Sequence, residues 1–260
     1  MDNNATIIAT AITSSLNIIE QDREKEIISR RFGLSGTKET LEQIGEMLSI
    51  TRERVRQLEK AIVVRLRIGA EENSIDSLAP AEKLIIRSLS ECGRVARISD
   101  LATRIYGHPS TVEERAGIAF LSSISTHLTI LNENDKYYES VAISDYGDEK
   151  KLRTRIDEIV TVIRDHKSPM TLTDLDNSLN YEHPDHIRAI ASTSKLLANL
   201  GDLWGLAKWP TVNPRNIRDK IFVILETHGE PMHFSDIAAA IRSSDFKRKT
   251  SPSRPSTMNL

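Results

Sequence analysis

Between Thr40 and Arg67 the apolar residues are spaced so that two short helices have to cross at close range. Ile44, Leu48, Ile50, Val55 and Leu58 form the apolar set, and Gly45 is the small residue at which a second helix can approach the first. Thr40, with Gln43 three residues later, predicts a capping box. That helix runs to about Leu48. Thr51 predicts the cap of a longer helix running to roughly Ile68. The connection Ser49-Ile50 is short, polar and then apolar, although glycine is more usual where Ser49 stands. The pattern predicts a helix-turn-helix over Leu41–Leu58. Pattern alone leaves a helical hairpin without a nucleic-acid role as the alternative.

Charge separates the two readings. The chain of 260 residues has a net charge of −2, which argues against a generic nucleic-acid coat. Yet residues 51–67 hold six basic side chains (Arg52, Arg54, Arg56, Lys60, Arg65, Arg67) against Glu53 and Glu59. Residues 78–150 hold eight basic against eleven acidic ones. Positive potential therefore concentrates on one helix, where a phosphate backbone would be met. With Val55, Leu58 and Ile62 turned inward, Arg52, Glu53, Arg56, Gln57 and Lys60 point outward. Side chains of these types suit base edges: arginine pairs with guanine, glutamate accepts from cytosine, glutamine reaches adenine. Thr51, Arg54, Arg56, Lys60 and Arg65, with Arg67, suit phosphates beside the helix N-terminus. A solvated charged face, with Arg52–Arg56 repulsion relieved by Glu53 and Glu59, is the plainer reading, but six basic residues in seventeen exceed what that needs.

The remaining chain reads as mainly α. Residues 6–32 are expected as helix from Ile7, Ile8, Ile12, Leu16, Ile19, Ile27, Ile28 and Phe32. A loose repeat follows. Cys92-Gly93 to Asp100-Leu101, His166-Lys167 to Asp174-Leu175, and His228-Gly229 to Asp236-Ile237 each follow an amphipathic helix (80–91, 152–165, 215–227). Each reads as a turn, an extended piece and a Ser or Thr before Asp (Ser99, Thr173, Ser235) capping another helix. In the first repeat a helix (111–127) and a hairpin of Leu128–Leu131 with Tyr137–Ile143 complete a winged-helix layout. In the second, a helix (184–199) and Leu203–Trp209 do so. The expected organisation is a helix-turn-helix domain (1–70), a linker (71–77), winged-helix units at 78–146 and 150–210, an incomplete one at 211–246, and a basic Ser/Pro-rich tail (247–260). The helix of the first unit carries Arg115 beside Glu113 and Glu114, which suits a protein-contact or spacer role better than phosphate contact.

Three strings carry a resemblance. Asp22-Arg23-Glu24-Lys25-Glu26-Ile27-Ile28-Ser29-Arg30-Arg31-Phe32-Gly33-Leu34, then Thr40-Leu41-Glu42-Gln43-Ile44-Gly45, then Thr51-Arg52-Glu53-Arg54-Val55-Arg56-Gln57-Leu58-Glu59 closely resemble region 4 of the sigma-70 family, over about residues 16–68. The resemblance implies duplex promoter DNA as a partner, read at a −35-type element by Arg52, Glu53 and Gln57, with Arg54 and Arg56 on the backbone or as accessory contacts. It also implies RNA polymerase as a partner, its β flap facing the first helices. No string resembles the region of that family that reads and melts the −10 element. The segment Ile221–Ile241 resembles the HARE-type winged helix of the RNA polymerase delta subunit and of some restriction and chromatin proteins. A transcription regulator or sigma-like accessory factor is the expected function. A DNA-recognition component of a restriction or defence system and a polymerase-binding scaffold are its rivals.

Several classes fall away. There is no phosphate loop and no Gly-x-Ser-x-Gly elbow, so an enzyme, a cofactor and a small-molecule substrate are not expected. The one cysteine, Cys92, excludes a disulfide framework and any multi-cysteine zinc site. His183 and His186 have no third ligand nearby. No signal peptide or membrane span is expected, and the location expected is cytoplasmic.

Overall fold

The computed structural model describes residues 3–179, 184–244 and 246. The chain runs α1 (Asn3–Asn17), α2 (Asp22–Phe32), α3 (Leu41–Leu48), α4 (Arg52–Glu71) and α5 (Leu78–Ser90), then β1 (Val95–Arg97), α6 (Ile98–Tyr106), α7 (Val112–Ile124), β2 (Leu128–Leu131) and β3 (Ser140–Ile143). After these come α8 (Glu149–His166), β4 (Met170–Thr171), α9 (Leu172–Leu179), α10 (Pro184–Ser192), β5 (Leu197–Leu200), β6 (Leu203–Leu206), α11 (Ile217–His228) and α12 (Phe234–Ser243). The chain is mainly α, as its patterning led us to expect. Among the described residues no helix is long and apolar enough to cross a membrane.

Two compact units emerge. The first combines Met1–Ile159 with Leu179–Lys195, and the second combines Val160–Ser178 with Leu196–Leu260. Most of the first unit shares one core. Ile8 and Ala11 of α1, Ile28 of α2, Ile62 and Leu66 of α4, Ile85 and Leu89 of α5, and Phe120 of α7 are buried in the same cluster. The segment 71–77 contributes Ile75 to that core, so it is a connection under packing constraint and not a free tether. Beneath α3, a smaller cluster of Ile27, Ile44 and Val55 closes the helix-turn-helix, with Leu41, Leu48, Ile50 and Leu58 around it.

The helical run expected over 6–32 is broken. It parts between Asn17 and Asp22, where Gln21 takes an extended backbone and Ile19 is buried. Asp22 and Glu24 in the first turn of α2 favour a helix start there through the macrodipole, a signal that the apolar periodicity masks. At its far end α4 continues through Gly69 to Glu71, a turn beyond the expected end.

In the first repeat, α5, β1, α6, α7, β2 and β3 follow the expected order, and the sheet order is β1-β3-β2, antiparallel throughout. Leu128 faces Ile143 and Leu131 faces Ser140 across the hairpin. The second hairpin strand is shorter than expected because Tyr137 and Tyr138 leave it. Tyr137 bridges to Ser194, and the Tyr138 amide donates to the Thr193 carbonyl at 2.9 Å. These two contacts, with α10 packed on β1, bind Leu179–Lys195 into the first unit.

The helix expected over 184–199 ends at Ser192. The Ser192 and Thr193 hydroxyls turn back onto the Ala189 and Ile190 carbonyls at 2.6 and 2.7 Å. Such local bonds compete with helix continuation. Leu197–Leu200 is instead β5, joined to β6 through Gly201 and Asp202, with Gly201 at φ 58° as a tight hairpin turn needs. The second unit's sheet is β4-β6-β5, and Trp204 is buried in it.

The three aligned turns share a backbone signature. Gly93, Lys167 and Gly229 all lie at positive φ, 85°, 64° and 76°. The caps differ from expectation: helices α6, α9 and α12 begin before Ser99, Thr173 and Ser235. Thr171 forms the box with Asp174 (3.1 and 3.2 Å), and His233 caps α12. The Ser/Thr-Asp pair thus marks the first turn and not the cap. Helices α11 and α12 bury none of their residues, and Phe234 is 77% exposed. The tail at 247–260 lies outside the described residues.

Candidate nucleic-acid interface

The sharp turn between α3 and α4 comes from local chemistry. The Thr40 hydroxyl accepts from the Gln43 amide (3.2 Å), while the Gln43 side chain accepts from the Thr40 amide (2.8 Å). Ser49 takes the left-handed conformation (φ 53°) where glycine is usual. Thr51 then caps α4 by accepting from the Arg54 amide at 3.2 Å. From α2, Arg23 donates to the Leu48 carbonyl at 2.8 Å and holds the turn in place.

Gly45 is where the crossing is tightest. A Cβ built there would lie 2.7 Å from the Ile50 carbonyl oxygen, a backbone atom with little room to move. Gly45→Ala is therefore expected to cost about 1–3 kcal/mol, the usual penalty of overpacking. Chemical denaturation checks it; an unchanged midpoint would mean that the crossing has room for a methyl group.

On α4 the outward residues are Arg52, Glu53, Arg54, Arg56, Gln57 and Lys60, all exposed, as is Thr51 at the cap. Their mutual bonding divides them. Arg56 meets Glu53 with both Nε and Nη2, at 2.8 and 2.7 Å. That guanidinium beside Glu53 lowers the carboxyl to about 2, so it is ionised at neutral pH. Gln57 donates to the same carboxylate at 3.3 Å and accepts from Arg54 at 3.4 Å. Arg52 lies apart from this network. Its Nη1 pairs with Glu42 of α3 at 2.6 Å. Lys60 lines a cleft of about 660 Å³ between α4 and the β2–β3 hairpin, with Asp148 and Glu149 also lining it.

Arg65 and Arg67 are engaged elsewhere. Arg65 pairs with Glu24 of α2 at 2.5 Å, and Arg67 donates to the Ser123 carbonyl at 2.7 Å. Five of the six cations thus have partners within the protein, and those of Arg65 and Arg67 lie off the outward row. Glu42 was not among the residues singled out from sequence. Ten positions separate it from Arg52, and only the crossing of α3 and α4 brings them together.

The corresponding helix of the first repeat offers no comparable face. Eight of its residues, including Ile118, Phe120, Leu121 and Ile124, are buried, so α7 serves as core. It packs against α1, α2 and α4, and Phe32 meets Phe120 edge-on with centroids 5.3 Å apart. The resemblance turns the first helices toward polymerase; Ile8 and Ala11 of α1 and Ile27 and Ile28 of α2 are buried within the chain itself.

Among the described residues no group of three or more His, Cys, Asp or Glu could hold a metal ion. His183 lies outside those residues, and the His186 ring stands edge-on to Tyr146. Burial pushes the Cys92 thiol up from its ordinary value.

Residues 21–67 match the family described as Sigma-70, region 4. The chain is 39% identical over 61 residues to the RNA polymerase sigma factor sigB of Arabidopsis thaliana, covering 23% of this chain and 11% of that protein. It is 50% identical over 48 residues to the RNA polymerase sigma factor RpoD of Helicobacter pylori (18% and 7%). It is 45% identical over 47 residues to the RNA polymerase sigma factor SigA of Lactococcus lactis (18% and 13%). The chain therefore spans about a tenth of the length of these relatives. No solved structure matches it.

Proposed function

From the sigma-70 region 4 match at residues 21–67, we propose that this chain binds duplex DNA by placing the N-terminal half of α4 in the major groove, in a sigma-like role in transcription. One observation carries the reading: a capped helix crossed closely by α3 presents Arg52, Glu53, Arg54, Arg56 and Gln57 outward, within the residues 21–67 that match the family. Arg52, Glu53 and Gln57 read base edges of a −35-like element. Thr51, Arg54, Arg56 and Lys60 meet phosphates. Arg65 joins them only by releasing Glu24.

The burial of α7 supports a division of labour in which the first winged unit braces the reader and does not read. RNA polymerase is the partner this role calls for. Its contact would use surfaces other than the buried faces of α1, covered by α5, α6 and α7, and of α2, covered by α3, α4 and α7.

Selection from a pool of random duplexes tests the proposal. A single enriched motif is expected, with affinity falling roughly 40- to 150-fold between 50 and 200 mM salt for three or four phosphate contacts. A pool that emerges without enrichment would remove sequence reading from the function. A flat salt dependence would remove DNA binding altogether.

A further inference from the structure

We propose that Glu42 is a positioning residue that sets the base-reading edge of Arg52, an inference that rests on the DNA-reading role given to α4 above. The two arginines on the outward row of α4 that hold ion pairs hold them in opposite ways. Arg56 spends Nε and Nη2, its bidentate edge, on Glu53. Arg52 meets Glu42 most closely through Nη1, and among the described residues no hydrogen bond engages its Nε or Nη2. A guanidinium recognises the O6 and N7 of guanine with two parallel N–H groups, so an arginine held by its remaining nitrogen is preset to read. Glu42 sits in the first turn of α3, on the other helix of the motif, and therefore holds Arg52 relative to the frame and not merely along its own helix.

Both side chains are well exposed, Arg52 at 67% and Glu42 at 52%. The pair thus contributes little to folding. Its effect is on the population of Arg52 rotamers. A carboxylate close to the DNA surface also repels phosphate, so removing it should strengthen binding to any sequence while weakening the choice among sequences. Those two effects run in opposite directions, and a purely structural or purely repulsive carboxylate would not produce both.

The test measures affinity for the selected duplex and for a scrambled one with wild-type protein, Glu42→Gln, Glu46→Gln, Arg52→Ala and the double variant Glu42→Gln/Arg52→Ala. Glu46 is exposed on the same helix, so its variant removes an equal charge away from Arg52. The expected result is that Glu42→Gln lowers the ratio of the two affinities about two- to fivefold, in keeping with an exposed ion pair, while scrambled-duplex affinity rises. Glu46→Gln leaves the ratio unchanged. In the Arg52→Ala background, Glu42→Gln lowers the ratio no further, because its effect passes through Arg52. If Glu42→Gln matches Glu46→Gln while Arg52→Ala still lowers the ratio, the positioning role is overturned and the reading by α4 stands. If Arg52→Ala leaves the ratio at the wild-type value, both are overturned.

Discussion

Phe120→Ala is expected to destabilise the first unit by about 3–5 kcal/mol, the usual cost of emptying a buried aromatic site. The side chain is fully buried. It lies in the cluster that holds Ile8 of α1, Ile28 of α2, and Ile62 and Leu66 of α4, and it meets Phe32 edge-on. The cavity would therefore open where the helix-turn-helix meets α7 of the first repeat, with apolar atoms from four helices losing contacts at once. Amide hydrogen exchange followed through α4 and β3 distinguishes one cooperative body from two. Both elements are expected to lose protection together. Undiminished protection in α4 beside lost protection in β3 would make the helix-turn-helix an independent folding unit. Val112→Ala, on the same helix but 44% exposed, serves as the control and should stay within about 0.5 kcal/mol of wild type.

That shared core explains why some of the molecule was legible in sequence and some was not. The capping box at Thr40 and Gln43, the small residue at Gly45 and the cap at Thr51 are decided within a few residues, and each reads directly. So does β2, whose bounds coincide with the expected Leu128–Leu131. The break before α2 is harder because Ile19 keeps the helical spacing while its side chain turns into the core. The strand β5 is harder still: its residues continue the apolar spacing of α10, and only the hydroxyls of Ser192 and Thr193 and the turn at Gly201 say otherwise. Pairs across the fold leave no local trace. Arg65 has the composition of a phosphate contact, and the proximity of Glu24, forty-one residues away, sets its rotamer instead. The outward row of α4 was legible as a set of residue types; which nitrogen of each arginine is free was not, because α3 supplies half of that answer.

Replacing Arg52 and Gln57 together by alanine is expected to abolish most of the preference for the selected duplex. Each good side-chain pair with a base edge contributes about 1–3 kcal/mol of discrimination, so the two should cost about 2–6 kcal/mol between target and scrambled DNA. Binding to scrambled DNA should persist, because Arg54, Arg56 and Lys60 remain exposed for phosphate. With one cation removed, the salt slope should fall by about one at most. The double change should also leave the fold intact, since neither side chain is buried and the cap at Thr51 is untouched. Arg65→Ala offers the contrast. Its guanidinium is held by Glu24, so it should alter discrimination little. Equal preference for the target in the double variant and in wild type would mean that α4 does not read bases. A polymerase contact that survived the same change would then favour a chain that uses the helix-turn-helix to hold protein and not DNA.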